Sequence, residues 1–458
     1  MAKQLIRIDN LQICDSVVTA EIAEEELIAV IGPNKSGKTR LADILRGEIR
    51  HVQGAVSHAI ELRQIAYSAH SADNTFFHYS DFYYQQRYNT FDEARVDTVG
   101  RYLQYDATCD YMSELFNAVL PKTLLTTKII ELSSGETRKV LLLKSLFKEA
   151  KIHILDNPFS GLDEASIVIF SDLFRQITHQ YGKTVILLLN DNPQKIKFDR
   201  IIQLASKPAD KTIQERRLPQ SVFFTTPPVD FHSVLQIENE SLKIGERTLV
   251  RNLSWKIAKG EKWLLKGANG SGKTTLLSLL NADNPIAYRY HFSLFDRRRG
   301  SGESIWEIKA RIGFISSEIQ LYFQGSRTVQ DIILSGFSDT MVLNKRLGDK
   351  ETAQYRTLLE ALGLTSIENA PLGRLSSGEK KTVMIARALV KNPPVLILDE
   401  PFQDLDPARF HFLHQFLGRC ADENRTVIQT AHHDSEILPG VNNVALIEYE
   451  DLSLDRMD

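Results

Sequence analysis

Cysteine is scarce in this chain: Cys14, Cys109 and Cys420 are scattered through 458 residues and odd in number. Such usage fits neither a disulfide framework nor a metal-ligating cluster, and the three thiols are expected to stay reduced in a cytoplasmic protein. Long apolar runs are missing as well. No uninterrupted stretch reaches the length a membrane-spanning helix needs, and the opening residues MAKQLIRIDN lack the apolar region of a signal peptide. Charge of one sign is not in excess. A formal net charge of −3 gives no general pull toward nucleic acid or an anionic membrane. What remains is 43% apolar and 25% charged residues, the balance of a folded protein too long for one ordinary domain.

The most informative stretch is Gly267-Ala268-Asn269-Gly270-Ser271-Gly272-Lys273-Thr274, which reads G-x-x-x-x-G-K-T. It follows the apolar run Trp263-Leu264-Leu265, a strand by its pattern, and leads through Thr275 into the helical pattern Leu276–Leu280. Strand, glycine-rich loop and helix form the context of a phosphate-binding loop. Its backbone N–H groups turn inward around an anion, and the helix N-terminus adds its positive end. Lys273 is placed to reach the β- and γ-phosphates of a nucleotide and Thr274 to hold Mg²⁺. The pattern occurs earlier as Gly32-Pro33-Asn34-Lys35-Ser36-Gly37-Lys38-Thr39, after Leu27–Ile31. Two such loops predict an internal duplication.

The halves agree further along. Leu132-Ser133-Ser134-Gly135-Glu136 precedes the apolar run Ile152–Leu155, which ends in Asp156; Leu375-Ser376-Ser377-Gly378-Glu379 precedes Val395–Leu398, which ends in Asp399. An acidic residue closing a buried strand is the expected Mg²⁺ ligand beside a phosphate loop, so Thr39 with Asp156 and Thr274 with Asp399 are the candidate metal pairs. Ser160-Gly161-Leu162-Asp163 and Gln403-Asp404-Leu405-Asp406 follow.

This succession resembles the ATP-binding-cassette (ABC) ATPases over nearly the whole chain. The resemblance implies an α/β fold of two tandem nucleotide-binding domains, residues 1–205 and 233–458, joined by a proline-containing linker at 206–232. Each is expected to have a RecA-like core, an antiparallel β subdomain and a helical subdomain carrying the signature. It also implies ATP and Mg²⁺ as cofactors, with each ATP lying between the phosphate loop of one half and the signature (Ser133, Ser134 and Gly135, or Ser376, Ser377 and Gly378) of the other. The segment Arg297-Arg298-Arg299-Gly300-Ser301-Gly302-Glu303-Ser304-Ile305-Trp306 is similar to the tandem ATP-binding proteins named for molybdate transport, the ModF-like group also called PhrA.

The resemblance also separates the halves. Glu400 follows Asp399 and would polarise the attacking water, and His432 stands where the family has its γ-phosphate-sensing histidine; with Lys273 these are the candidate catalytic residues. In the first half the corresponding positions are Asn157 and Asn190, and an amide cannot take a proton from water at neutral pH. The first site is therefore expected to bind MgATP with little or no turnover. Two other family features are missing. No aromatic stands ahead of the first phosphate loop, and the second half offers Ile244 there; the loop glutamine is replaced by residues near His70 and Ser317, with Gln85, Gln86 and Gln320 nearby.

Three functions compete. An ATPase subunit of an oxyanion-type transporter would sit in the cytoplasm or on the inner face of the membrane, with separate permease subunits. A non-transport cassette protein would act on ribosomes or nucleic acid, which the short proline-rich linker does not favour. A nucleotide-driven regulatory switch would use the same asymmetric sites. An aromatic run from Phe76 to Phe91 is expected to pack a helical subdomain, or else to dock a partner. The Arg297–Arg299 run reads as a solvated loop or as a contact for an anion.

Overall fold

The computed structural model describes residues 3–33, 36–69, 97–129, 132, 134–160, 162, 164–190, 196–205, 222–244, 247–268, 271–282, 285–316, 319, 323, 325–403, 405–431, 433–448 and 451–457. The described residues separate into two compact units, one within 3–205 and one within 222–457.

In the first unit, β1 (Gln4–Ile13), β2 (Ser16–Ala23) and β4 (Ala55–His58) form an antiparallel sheet ordered β2-β1-β4. A five-stranded parallel sheet carries β3 (Leu27–Ile31), β5 (Ile65–Ala69), β6 (Ile152–Asp156), β7 (Thr184–Leu189) and β8 (Arg200–Gln203) in the order β5-β6-β7-β3-β8. Its central strands are apolar on both faces because both faces are covered. Leu27, Ala29 and Ile31 of β3 pack with the helices, whereas Ile28 and Val30 pack toward the antiparallel sheet. Successive side chains leave a strand on opposite faces, so one five-residue strand serves two cores. Helices α1 (Lys38–Leu45), α2 (Val99–Leu103), α3 (Asp110–Val119), α4 (Ser134–Phe147) and α5 (Glu164–Tyr181) complete the unit.

The second unit repeats the plan. Antiparallel β9 (Ser233–Ile244), β10 (Arg247–Ala258), β12 (Phe292–Leu294) and β13 (Arg297–Arg298) are ordered β10-β9-β12-β13. The larger sheet contains β11 (Lys262–Gly267), β14 (Ile312–Ile315), β15 (Val395–Leu398), β16 (Thr426–Gln429), β17 (Asn443–Glu448) and β18 (Asp451–Arg456), ordered β14-β15-β16-β11-β17-β18. Its first five strands follow the order of the first unit's parallel sheet, and β18 adds an antiparallel edge through a hairpin from β17. Helices α6 (Lys273–Leu280), α7 (Ile305–Ala310), α8 (Val329–Ser335), α9 (Asp349–Ala361), α10 (Ser377–Leu389) and α11 (Pro407–Cys420) accompany them. The duplication read from the sequence is thus a duplication of sheet topology.

Part of the expected linker behaves differently. Residues 206–221 lie outside the described residues, but from Phe223 onward the segment is packed into the second unit. Phe223 is fully buried, and Phe224 stacks edge-on against Phe416 with the Arg419 guanidinium 4.1 Å from its ring. The fully buried Arg425 donates to the carbonyl of Thr225, the hydroxyl of Thr226 and Oδ1 of Asn392. A buried guanidinium needs such acceptors to offset its desolvation.

Candidate functional site

Both phosphate loops run from the end of a central parallel strand into a helix: β3 into α1 and β11 into α6. Each strand lies between two parallel neighbours, and ligands of open α/β sheets gather at the carboxyl ends of such strands. Gly37 and Gly272 hold the turn into the helix at φ 99° and 100°, a left-handed backbone where a side chain would be strained. A Cβ on Gly37 would also lie 2.5 Å from Ile13. At the other end of the loops, a Cβ on Gly32 would lie 2.5 Å from Ser36 Oγ, and one on Gly267 would lie 2.6 Å from Ser271 Oγ.

The lysines fold back over their own loops. Lys273 Nζ donates to the carbonyls of Gly267 at 2.6 Å and Ala268 at 3.0 Å. Lys38 Nζ donates to the carbonyls of Gly32 and Pro33 and, at 3.0 Å, to Asn190 Oδ1. Burial brings the Lys38 ammonium down to about 8 against the opposing attraction of Asp156. An arriving phosphate would supply the counter-charge that burial withholds.

In both halves the threonine and aspartate expected as a metal pair are hydrogen-bonded to each other. Thr39 Oγ1 donates to Asp156 Oδ2 at 2.9 Å, and Thr274 Oγ1 donates to Asp399 Oδ2 at 2.9 Å. Hydroxyl and carboxylate oxygens are the hard donors that Mg²⁺ takes. The buried hydroxyls of Ser36 and Ser271 have no hydrogen-bond partner among the described residues, as expected of loops that await a polyanion. The residues present therefore fit MgATP at both loops. Burial raises the Asp156 carboxyl, although Thr39, Lys38 and Tyr67 all act downward; a bound cation would add to the downward pull.

The residue after each metal-side aspartate has the same backbone and a different side chain. Asn157 and Glu400 sit at φ 50° and 49°. Asn157 N–H bonds the carbonyl of Leu188 at 2.9 Å, whereas Glu400 N–H bonds Thr430 Oγ1 at 2.9 Å and the Glu400 carbonyl accepts from Lys381 Nζ at 2.7 Å. The Thr430 hydroxyl also donates to Asp399 Oδ1 at 2.8 Å, and Tyr67 OH reaches Asp156 Oδ2 at 3.3 Å. Thr430, Lys381 and Tyr67 were not singled out by the sequence. The usable signal was position: Thr430 stands two residues before His432, and Lys381 two after the signature glutamate.

The signature of the second half is complete in its local structure. Ser376 caps α10: its Oγ accepts Glu379 N–H at 3.4 Å, and Glu379 Oε2 accepts Ser376 N–H at 2.9 Å. Ser377 begins the helix, and a Cβ on Gly378 would lie 2.8 Å from Arg409 on α11. In the first half α4 begins at Ser134, with Gly135 in its first turn. Asn34, Lys35, Ser133, Asn269, Gly270 and His432 lie outside the described residues, as do His70, Ser317, the Phe76–Phe91 run and Gln85, Gln86 and Gln320. The arginine run divides. Arg297 and Arg298 are exposed on β13, but Arg299 is buried against Glu303 at 2.6 Å, with the Tyr288 ring 4.6 Å away. Burial acts upward on Glu303, but the Gly300 N–H and Arg299 hold its carboxyl at about 2, so this arginine has its anion within the chain.

The chain is 33% identical over 454 residues to the ABC transporter ATP-binding protein ModF of Escherichia coli (strain K12), covering 90% of this chain and 89% of that protein. It is 26% identical over 466 residues to an uncharacterized ABC transporter ATP-binding protein of Schizosaccharomyces pombe, with 94% of each covered. A nucleotide-free ATP-binding cassette from an ABC transporter covers 49% of this chain at 19% identity and a TM-score of 0.41. The model of the ABC transporter family matches residues 16–160 and 250–403, one phosphate loop and one strand-ending aspartate in each segment. With both halves matched by the family model and the chain 33% identical to ModF along most of its length, the chain belongs to the ABC transporter ATP-binding family.

Proposed function

We propose that the chain is an ATPase with one hydrolytic site, the one built on Lys273, and one site, built on Lys38, that holds MgATP with little turnover. The observation that carries this reading is the pair at φ 50° and 49°: the same backbone presents Asn157 in one half and Glu400 in the other. Bound Mg²⁺ would draw charge from the β- and γ-phosphates. Lys273 and the loop N–H groups would fix the phosphates, and Glu400 would accept a proton from the attacking water, with His432 orienting it. Phosphoryl transfer chiefly needs such positioning and charge neutralisation.

The cargo reading follows from the ModF-like resemblance: the chain is the ATP-binding component of a transporter of molybdate or a similar oxyanion, acting at the inner membrane face with separate permease subunits. No described helix is long and apolar enough to cross a membrane, so permeation would have to be supplied by other chains. The test is steady-state turnover with filter-bound nucleotide counted in parallel. Glu400→Gln is expected to lower turnover about 10²–10⁴-fold, the usual worth of a general base, while Asn157→Gln changes it less than about twofold. Turnover that survives Glu400→Gln would overturn the one-site reading. ATP-dependent recovery of Glu400→Gln with membranes of its native cells tests the transport role, and recovery with ribosomes instead would remove it.

A further inference from the structure

The two halves obtain the second hydroxyl on the metal-side aspartate from different strands. In the first, Tyr67 of β5 lies opposite Ile154, two residues before Asp156; in the second, Phe314 of β14 lies opposite Ile397, two residues before Asp399. The aromatic position therefore carries a hydroxyl in the first half and none in the second. On the other neighbouring strand the exchange is reversed. Leu188 lies opposite Asp156, whereas Thr430 directly follows Gln429, the partner of Leu398, and so stands beside Asp399.

The consequences differ because the donors connect to different things. A threonine hydroxyl has one proton to give and lone pairs to accept with. Thr430, only 1% exposed, uses both: it donates to Asp399 Oδ1 at 2.8 Å and accepts the Glu400 N–H at 2.9 Å. Glu400 is left-handed at φ 49°, a backbone conformation strained for a non-glycine residue. With Lys381 Nζ on its carbonyl, both backbone polar groups of Glu400 are held by side chains. Tyr67, by contrast, bonds Asp156 and leaves residue 157 to an ordinary backbone bond with Leu188.

We propose that Thr430 is a positioning residue of the Lys273 site, whose hydroxyl ties the backbone of the general base Glu400 to the metal-side carboxylate of Asp399 so that the two move as one unit. The first site, with its hydroxyl on Tyr67, orients its metal ligand without orienting a base. The inference rests on the reading of the Lys273 site as the hydrolytic one.

The test compares Thr430→Val, which keeps the shape and loses the hydroxyl, with Thr430→Ser, which keeps the hydroxyl. Outer-shell partners of a metal ligand usually matter about 10–100-fold. Thr430→Val is expected to lower kcat by that factor with KM for ATP within about twofold, and Thr430→Ser to recover most of it. A second readout needs no turnover. In a Lys38→Ala, Glu400→Gln background with ATP, Mn²⁺ affinity measured by electron paramagnetic resonance should weaken about tenfold on Thr430→Val. Adding Phe314→Tyr, the hydroxyl arrangement of the first half, should restore Mn²⁺ affinity and leave kcat of the otherwise native chain low. Thr430→Val with native kcat overturns the proposal, as does a loss that Thr430→Ser shares or one in which Phe314→Tyr restores kcat. If Glu400→Gln itself retains turnover, the failure lies with the site assignment and not with Thr430.

Discussion

The two phosphate sites share a strand order, a loop, a hydroxyl–carboxylate pair at 2.9 Å and a left-handed residue after the aspartate, yet differ in every group that would handle a proton. On the proposed reading, binding and turnover use separable parts of one scaffold. The loop and the metal pair need only backbone N–H groups, a lysine and oxygen donors, and both halves keep them. On the proposed reading Glu400 is the base and Thr430 its hydroxyl tie, and these two stand at adjoining strand ends; where the second half has Glu400, Thr430 and His432 in sequence, the first has Asn157, Leu188 and Asn190. An interaction made only in the transition state can be lost without losing nucleotide binding.

The comparison can be broken most forcefully by moving the base. In a Glu400→Gln chain, adding Asn157→Glu and Asn190→His tests whether side chains alone make a site. With Leu188 where the second half has Thr430, less than about a tenth of native turnover is expected to return, which is the lower end of what an outer-shell group contributes. Full recovery in a single-turnover assay would show that the hydroxyl tie is dispensable.

The halves also differ beneath the sites. His153 is fully buried in β6, where the equivalent residue of β15 is Leu396. Burial, aided by Lys183 and Lys148, pushes the imidazole down to about 3. The unfolded chain takes up a proton below about 6.5 and the folded chain does not. Stability of the first unit should thus be flat above that pH and fall by up to about 1.4 kcal/mol per pH unit toward pH 3. His153→Leu is expected to abolish this slope. Urea midpoints between pH 7 and 5 would show it, and an unchanged slope would count against a neutral buried ring.

Two smaller effects sharpen the contrast. Asn190→Ala removes the Oδ1 acceptor from Lys38, a bond of about 0.5–1.5 kcal/mol, so ATP affinity of the first site should fall about two- to tenfold while Lys273-site turnover stays native. A fluorescent-nucleotide titration of the Glu400→Gln chain measures the affinity. Ser376→Ala removes the cap of α10 and should cost about 1 kcal/mol of unfolding free energy by urea titration, with glycine at that position costing less. Equal losses for both replacements would argue that the hydroxyl does something other than cap.

The contiguous parts of the sites were legible in the sequence because their geometry is local. A loop of G-x-x-x-x-G-K-T between an apolar strand and a helix has one way to turn, and an aspartate closing a buried strand emerges at the same sheet edge. The Thr430 relay was not legible, since its hydroxyl meets a carboxylate 31 residues away only through the parallel register of β15 and β16. Tyr67 bonds an aspartate 89 residues away for the same reason. The expected linker also proved partly structural. Phe223 and Phe224 lie in a proline-containing stretch whose composition reads as a connector, and only the folded core around α11 gives them something to pack against. Of the arginine run, the sequence could not say that Arg299 turns inward to Glu303, because that pairing depends on the β13 hairpin closing over Tyr288.

By itself, then, the sequence determined the number of cassettes, the glycine-rich loops, the strand-ending aspartates and the exchange of Glu400 for Asn157, all of which rest on short-range spacing and residue chemistry. Tertiary structure alone decided which hydroxyl reaches each aspartate and how the backbone of residue 400 is held. Those are hydrogen bonds between neighbouring strands, and strand register, unlike spacing along the chain, is set only when the whole sheet packs.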